Sequence, residues 1–305
     1  MNSTPLKGII IPLVTPFDEE EKIDKVSLNN LVNYMITQEP DYLMATALTG
    51  EGPLLNEHET LEVWDEIFTA TNNRVAVIPA IISTRTKTAI TLAKAAYALG
   101  APAIMVAPIV PELYAARSES DVYQFYSDIA AATPLPLILF NYPSLTSVDL
   151  TPDFVKRLSE IENIAYIKES TGDSRRVHAI QRLCSSDFKV ICGNPNAAFE
   201  SIALGCDTWI TGIMNVAPRS SKAMMDAIII DNDLKTAKDI YYNQLLPIVD
   251  LIESSNNPTG MIKAGLRARG VNVGIPRKPG SDVLPEEQNK INQLVAAIVN
   301  AESKQ

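Results

Sequence analysis

Residues 75–109 read VAVIPAIISTRTKTAITLAKAAYALGAPAIMVAPI. The run VAVIPAII (75–82) is apolar, rich in β-branched residues and too short for a core helix, so it is predicted to be a strand. Thr86 to Leu99 is alanine-rich and carries Leu92, Ala95 and Ala96 on one side at helical spacing. Beyond a Gly-Ala-Pro stretch, AIMVAPI (103–109) is a second strand candidate. Strand, helix and strand in succession make one β/α unit.

The same unit recurs along the chain. Further short apolar runs are GIIIPLV (8–14), YLMATAL (42–48), LPLILF (135–140), IAYI (164–167), FKVIC (188–192) and TWITGI (208–213). Helix-like stretches lie between them. Ser27 to Thr37 carries Leu28, Leu31 and Met35 at helical spacing, and Pro152 to Ile161 follows Thr151, a natural N-cap with proline at the first helical position. Strands that are apolar throughout imply a sheet covered on both faces. Eight such units predict an α/β fold, a (β/α)8 TIM barrel over residues 1–218. The rival, a doubly wound open sheet, lacks a GxGxxG turn or a phosphate loop in its support. From residue 219 to 305 the pattern changes to helices such as TAKDIYYNQLLPIVDLIE (236–253) and PEEQNKINQLVAAIVNA (285–301), predicting a C-terminal helical extension.

Composition narrows the function. Of 305 residues 46% are hydrophobic and the net charge is -10 at pH 7, so phosphate backbones are repelled and no nucleic-acid partner is expected. No apolar run approaches the roughly 20 residues that span a bilayer, so no membrane partner is expected either. The N-terminal segment lacks the order of a signal peptide. Cys184, Cys192 and Cys206 lack metal-ligand spacing and read as buried thiols of a reducing compartment, which places the protein in the cytoplasm. With only His58 and His178, a histidine-rich metal site or a Ser-His-Asp arrangement has little material.

Chemistry enters at YIKEST (166–171). Active sites of (β/α)8 barrels sit at the C-terminal ends of the strands, and Lys168 ends the sixth candidate. Among apolar walls its charged form loses hydration, leaving more free amine, which is the nucleophile. Such an amine condenses with a ketone to an iminium, an electron sink for the neighbouring carbon. The plainer reading is a strand-end cation paired with an acid. A second stretch, TALTGEGPLL (46–55), supplies Thr49 and Gly50 where the chain turns outward. Amides and a hydroxyl there form a cup for a carboxylate, although an ordinary strand-to-helix turn reads the same way. A keto-binding lysine and an anion cup together point to a 2-oxo acid.

Six segments in order resemble the dihydrodipicolinate synthase / N-acetylneuraminate lyase family, the pyruvate-dependent class I aldolases. They are GIIIPLVTPF (8–17), ALTGEGPLL (47–55), FNYPSLT (140–146), YIKESTGD (166–173), ICGNP (191–195) and ITGIMNVAPR (210–219). The resemblance implies a barrel with a helical C-terminal part, a homo-oligomer (dimer or tetramer), a Schiff base on Lys168, and no metal or organic cofactor. It implies carboxylate binding at Thr49 and Gly50, and a pocket lined by Gly193 and Ile210.

The departures matter for substrate choice. The first of two loop hydroxyls is Leu48, and the tyrosine that relays protons in the family is Phe140. A further tyrosine of the synthases falls near Val110, and their arginine for a second carboxylate falls at Leu145. The acidic pair that holds a sugar chain in sialic acid lyases falls at Pro195 and Asn196. These changes argue against dihydrodipicolinate synthesis and against sialic acid cleavage. Tyr142, Ser170 and Thr171 are the hydroxyls near enough in sequence to substitute for the lost phenol. Glu169 is expected in a structural salt bridge, Arg175 and Arg176 at a solvated helix start, and Glu51 as a cap of its own loop. The resulting expectation is a Schiff-base lyase, an aldolase or dehydratase acting on pyruvate or another 2-oxo acid. The alternative is a family member without turnover that binds a 2-oxo acid or regulates. An unrelated barrel enzyme would require six chance matches in order.

Overall fold

In a computed structural model of the chain, residues 5–108 and 118–303 are described, so Val110 lies outside the described residues. The strands are β1 (Gly8–Pro12), β2 (Tyr42–Ala45), β3 (Ala76–Ser83), β4 (Ile104–Pro108), β5 (Leu137–Asn141), β6 (Ile164–Glu169), β7 (Lys189–Cys192) and β8 (Thr208–Ile210). They follow one another in chain order in a closed barrel of parallel pairs. All eight apolar runs thus become strands, and the (β/α)8 barrel stands. In β1, Ile9, Ile10 and Ile11 are fully buried, as expected of strands covered on both faces.

Helices separate the strands. They are α1 (Lys25–Ile36), α2 (Glu57–Thr71), α3 (Thr86–Ala98), α4 (Glu119–Ala132), the single turn α5 (Pro143–Thr146), α6 (Pro152–Leu158), α7 (Arg175–Leu183) and α8 (Ala198–Ala203). Local chemistry starts several of them. Thr151 Oγ1 accepts from Phe154 N at 3.3 Å with Pro152 at the first helical position of α6. Asp24 caps α1 through Ser27 N, and Asn56 with Glu59 closes a capping box on α2.

The C-terminal part holds α9 (Pro218–Ile229), α10 (Leu234–Ile240), α11 (Leu246–Glu253), α12 (Pro258–Ala268) and α13 (Pro285–Glu302). The segment 236–253 is one rod with a π turn at Tyr241–Leu245, where Leu246 N bonds Tyr241 O. Pro247 has no N–H to give the preceding turn, which accounts for the local widening. The described chain divides into two compact units: one contains Val77–Ile210, the other Lys7–Ala76 together with the chain from Thr211 onward. No helix among the described residues is long and apolar enough to cross a membrane.

Candidate active site

The first unit holds the lysine. Side chains alternate along a strand, and β6 uses both faces at its C-terminal end. Lys168 pairs in register with Phe140 on β5 and with Ile191 on β7. Phe140 and Ile191 are buried, Lys168 is half-buried, and its Nζ stands 5.0 Å from the Phe140 ring centroid. A cation at that distance from a ring is held by about 0.5–1 kcal/mol or more as water is excluded.

Glu169 turns the other way. Its Oε2 accepts from Asn141 Nδ2 at 2.8 Å, its Oε1 from Thr171 N at 2.8 Å, and Arg176 Nη1 lies 3.7 Å from Oε2. The expected structural salt bridge is therefore present. Arg176 corrects the solvated reading: its side chain is only 17% exposed and grips Asp149 with two bonds of 2.8 and 2.6 Å. Arg175 does stand in solvent, paired with Asp173.

Gly193 follows β7 and donates from its N to Glu169 O at 2.8 Å. A Cβ on Gly193 would stand 2.2 Å from Ser170 Oγ and 2.9 Å from Lys168 Cγ. Close approach rather than backbone conformation demands glycine here. Ser170 precedes α7 by several residues, so it does not start that helix. Its Oγ is buried and has no hydrogen-bond partner among the described residues. An unmet buried hydroxyl costs about 1–3 kcal/mol, and this one borders the lysine stem. Cys192, paired with Glu169 across β6 and β7, is pushed up to about 12 by burial and stays a neutral thiol.

The other residues of interest in this unit have simpler settings. Tyr142 leaves the extended strand at φ -145°, ψ 77°, and its ring meets the Phe140 ring edge-on at 6.3 Å between centroids. Ile210 ends β8 and is fully buried. Leu145 is exposed on α5, and Asn196 is exposed in the turn Pro195–Ala197, where its N donates to Asn194 Oδ1.

The second unit holds the polar turn after β2. Gly50 N and Gly52 N donate to Ala47 O, each at 3.0 Å, and Glu51 N donates to Leu48 O at 2.9 Å. Those three amides close the turn on itself. Among the described residues the amides of Leu48 and Thr49 donate to nothing, so the cup reduces to these two N–H groups and the Thr49 hydroxyl. Gly50 is required because a Cβ would meet Leu13 O at 2.8 Å, and Thr15 Oγ1 binds Gly50 O at 2.7 Å. A Cβ on Gly212 would fall 3.0 Å from Thr49 Oγ1 and 2.7 Å from Ile262 Cδ1.

Glu51 does not cap its own loop through its side chain. Its Oε1 lies 2.6 Å from Lys263 Nζ, and its Oε2 accepts from Arg277 N at 2.8 Å. Lys263 is completely buried, and that burial pulls its ammonium below the ordinary lysine range against the opposing pull of Glu51. Reading the sequence missed this lysine; the only signal was its place inside the small apolar run GMIKAGL (260–266), all of which is buried.

The dihydrodipicolinate synthetase family matches residues 5–298. The 4-hydroxy-tetrahydrodipicolinate synthase of Syntrophus aciditrophicus (strain SB) is 33% identical over 264 residues, covering 87% of this chain and 88% of that protein. A chloride-inhibited dihydrodipicolinate synthase from Acinetobacter baumannii, solved with pyruvate, is 30% identical with a TM-score of 0.89, over 97% of this chain and 99% of that one. YagE, a prophage protein of the same family from E. coli K12, also solved with pyruvate, is 26% identical with a TM-score of 0.88, over 96% and 98% of the two chains.

Proposed function

Because this chain belongs to the dihydrodipicolinate synthetase family, whose members are class I aldolase-type lyases, we propose that it is a Schiff-base lyase of 2-oxo acids with Lys168 as nucleophile. The observation that carries the reading is the setting of that amine. It is half-buried at the C-terminal end of a barrel strand, against the Phe140 ring and above a glycine that admits nothing larger.

Lys168 Nζ, unprotonated, adds to the C2 carbonyl carbon of pyruvate. The oxygen takes one proton from the attacking nitrogen and a second from solvent and leaves as water, giving an iminium. The iminium withdraws electrons from C3, so C3 gives up either a proton or, in a 4-hydroxy-2-oxo acid, its bond to C4 as the C4 hydroxyl loses its proton and becomes a carbonyl; the enamine left by proton loss can instead expel the C4 hydroxyl, which leaves as water with a proton, and hydrolysis returns the amine. Thr49 with the amides around Leu48 holds the carboxylate, Gly50 lets the turn close, and Phe140, Gly193 and Ile210 line the reacting end.

Phe140 makes this chain a poor dihydrodipicolinate synthase. A ring without its hydroxyl transfers no proton, and one well-placed proton-transfer group is worth about 100- to 10,000-fold. Leu145 offers no charge to a second carboxylate. The reading is therefore an aldolase or dehydratase for a less polar 2-oxo acid, with Ser170 Oγ, which shares the Gly193 contact with the lysine stem, as the hydroxyl that carries the proton. Residues 1–218 form its barrel and 219–305 a helical extension, and the chain works as a homo-oligomer in the cytoplasm.

Incubation with pyruvate and borohydride is expected to leave a reduced adduct on Lys168, found by peptide mass spectrometry and missing in Lys168→Ala. No adduct with any of a panel of 2-oxo acids sinks the reading. Adduct without product from any of them favours the second reading, a 2-oxo acid binding protein, which the bare Phe140 ring supports. Gly212→Ala is expected to push the Thr49 hydroxyl aside and raise half-saturating pyruvate in the same assay about 10-fold. An unchanged value removes Thr49 from the carboxylate site.

A further inference from the structure

We propose that Glu51, Lys263 and Arg277 form a lock that positions the Thr49–Gly50 turn, so that the segment after α12 sets the affinity for the substrate carboxylate. The proposal rests on the reading of that turn as the carboxylate site. The turn itself is strained. Glu51 is a non-glycine residue with φ 57°, and Thr46 at the turn's start has φ 54°. Left-handed backbone at such residues persists only where the surroundings over-determine it.

Here the surroundings are the Glu51 carboxylate and what grips it. One oxygen faces the buried Lys263 ammonium as an ion pair at 2.6 Å, and the other accepts a hydrogen bond from Arg277 N at 2.8 Å. Lys263 Nζ also donates to Ile275 O at 2.9 Å and stands 4.8 Å from the Phe17 ring centroid. One amine thus joins the turn to the segment 271–282 that runs between α12 and α13.

That segment is itself pinned. The Arg277 guanidinium lies 4.3 Å from the Phe17 ring centroid and donates to Leu54 O at 3.0 Å, Glu21 O at 2.6 Å and Glu59 Oε1 at 2.7 Å. Arg267 Nη1 binds Gly274 O at 2.6 Å, and a Cβ on Gly274 would meet Phe17 O at 2.4 Å. Leu54 follows the same turn, since Leu54 N bonds Glu51 O at 2.8 Å. The segment therefore holds the C-terminal side of the turn at two points, Glu51 and Leu54.

A buried ion pair is weak support for stability, because taking two charges out of water offsets most of their attraction. Fixing a position is the use that its geometry serves. The amides of Leu48 and Thr49 stay open only while Gly50, Glu51 and Gly52 close on Ala47 and Leu48. Glu51, Lys263 and Arg277 are positioning residues, touching the turn and not the substrate.

The test is Lys263→Met in the full chain, with two readouts. Hydrogen exchange in peptides covering residues 46–55 is expected to quicken at least 10-fold. Half-saturating pyruvate in borohydride trapping is expected to rise about 10-fold, with the amount trapped at saturation within about two-fold of wild type. Unchanged exchange overturns the lock. Faster exchange with unchanged half-saturation overturns its control of affinity. If Lys263→Met does not fold, Arg277→Ala decides: it keeps the buried pair and removes the side-chain anchors, and the same shifts of at least three-fold are expected, their absence overturning the proposal. Should the wild type trap none of the panel of 2-oxo acids, the Schiff-base reading fails while exchange still decides the lock.

Discussion

Gly193→Ala is expected to lower the rate of pyruvate trapping at Lys168 by about 100-fold or more in a protein that still folds, its thermal midpoint falling by about 2–12 °C from the overpacking. The new Cβ would stand 2.2 Å from Ser170 Oγ, 2.8 Å from Glu169 O and 2.9 Å from Lys168 Cγ. Separations below 3.0 Å must relax. The backbone of β6 yields least. Ser170 N is bonded to Asn141 O, Gly193 N to Glu169 O, and the Glu169 carboxylate to Asn141 and Thr171. The lysine stem and the serine hydroxyl therefore move. Misplacing a reacting group by about 1 Å costs on the order of 100-fold in rate.

Ser170→Ala separates the two displacements. Alone it leaves imine formation close to wild type and lowers product formation about 100-fold if its hydroxyl carries the proton. Combined with Gly193→Ala it removes the nearest clash, so trapping recovers in part and the two effects are not additive. Trapping at the wild-type rate in folded Gly193→Ala would mean that the tight floor beneath the lysine has no part in imine formation.

The barrel was legible because its strands are covered on both faces. VAVIPAII, AIMVAPI and their counterparts must be apolar throughout, and their short length and β-branched content separate them from buried helix segments. Where strand candidates ran long, as TWITGI did, the extra residues are Thr211 and the first two residues of the turn Gly212–Asn215. Lys168 was legible from its place at a strand end, and the register Phe140 to Lys168 shows why the lost phenol matters: the two residues are direct neighbours.

What stayed hidden was long-range polar pairing. Glu51 meets Arg277 from 226 residues away, and Arg176 meets Asp149 from 27. Periodicity carries no trace of either, so both side chains read as solvated or as local caps. The anion cup was half legible. Thr-Gly-Glu announces a turn, but which amides point outward depends on the carbonyls on which that turn closes, and Gly50, Glu51 and Gly52 point inward.

Glu302→Ala illustrates the same hidden class and is expected to lower stability by about 3–5 kcal/mol, the usual cost of removing one partner of a buried ion pair. Glu302 lies at the end of α13 with its side chain 5% exposed, and the side chain of its partner Arg269 is 6% exposed. Arg269 also donates from Nε to Val216 O at 2.6 Å and from Nη1 to Tyr34 Oη at 3.1 Å, so its guanidinium cannot turn to solvent once the carboxylate is gone. Glu302 has a second task. Helix α9 has no side-chain cap, and Glu302 Oε1 accepts from Ser220 N at 3.1 Å and Ser220 Oγ at 3.2 Å, satisfying a first-turn amide from a distant helix. Its loss strands a charge and an amide together. At about 2–4 °C per kcal/mol for a chain of this size, the melting midpoint falls by about 6–20 °C. Replacing both partners, Glu302→Leu with Arg269→Met, leaves no stranded charge and is expected to recover most of that fall. A midpoint for Glu302→Ala within about 2 °C of wild type would show that the pair is solvated and contributes no more than a surface salt bridge.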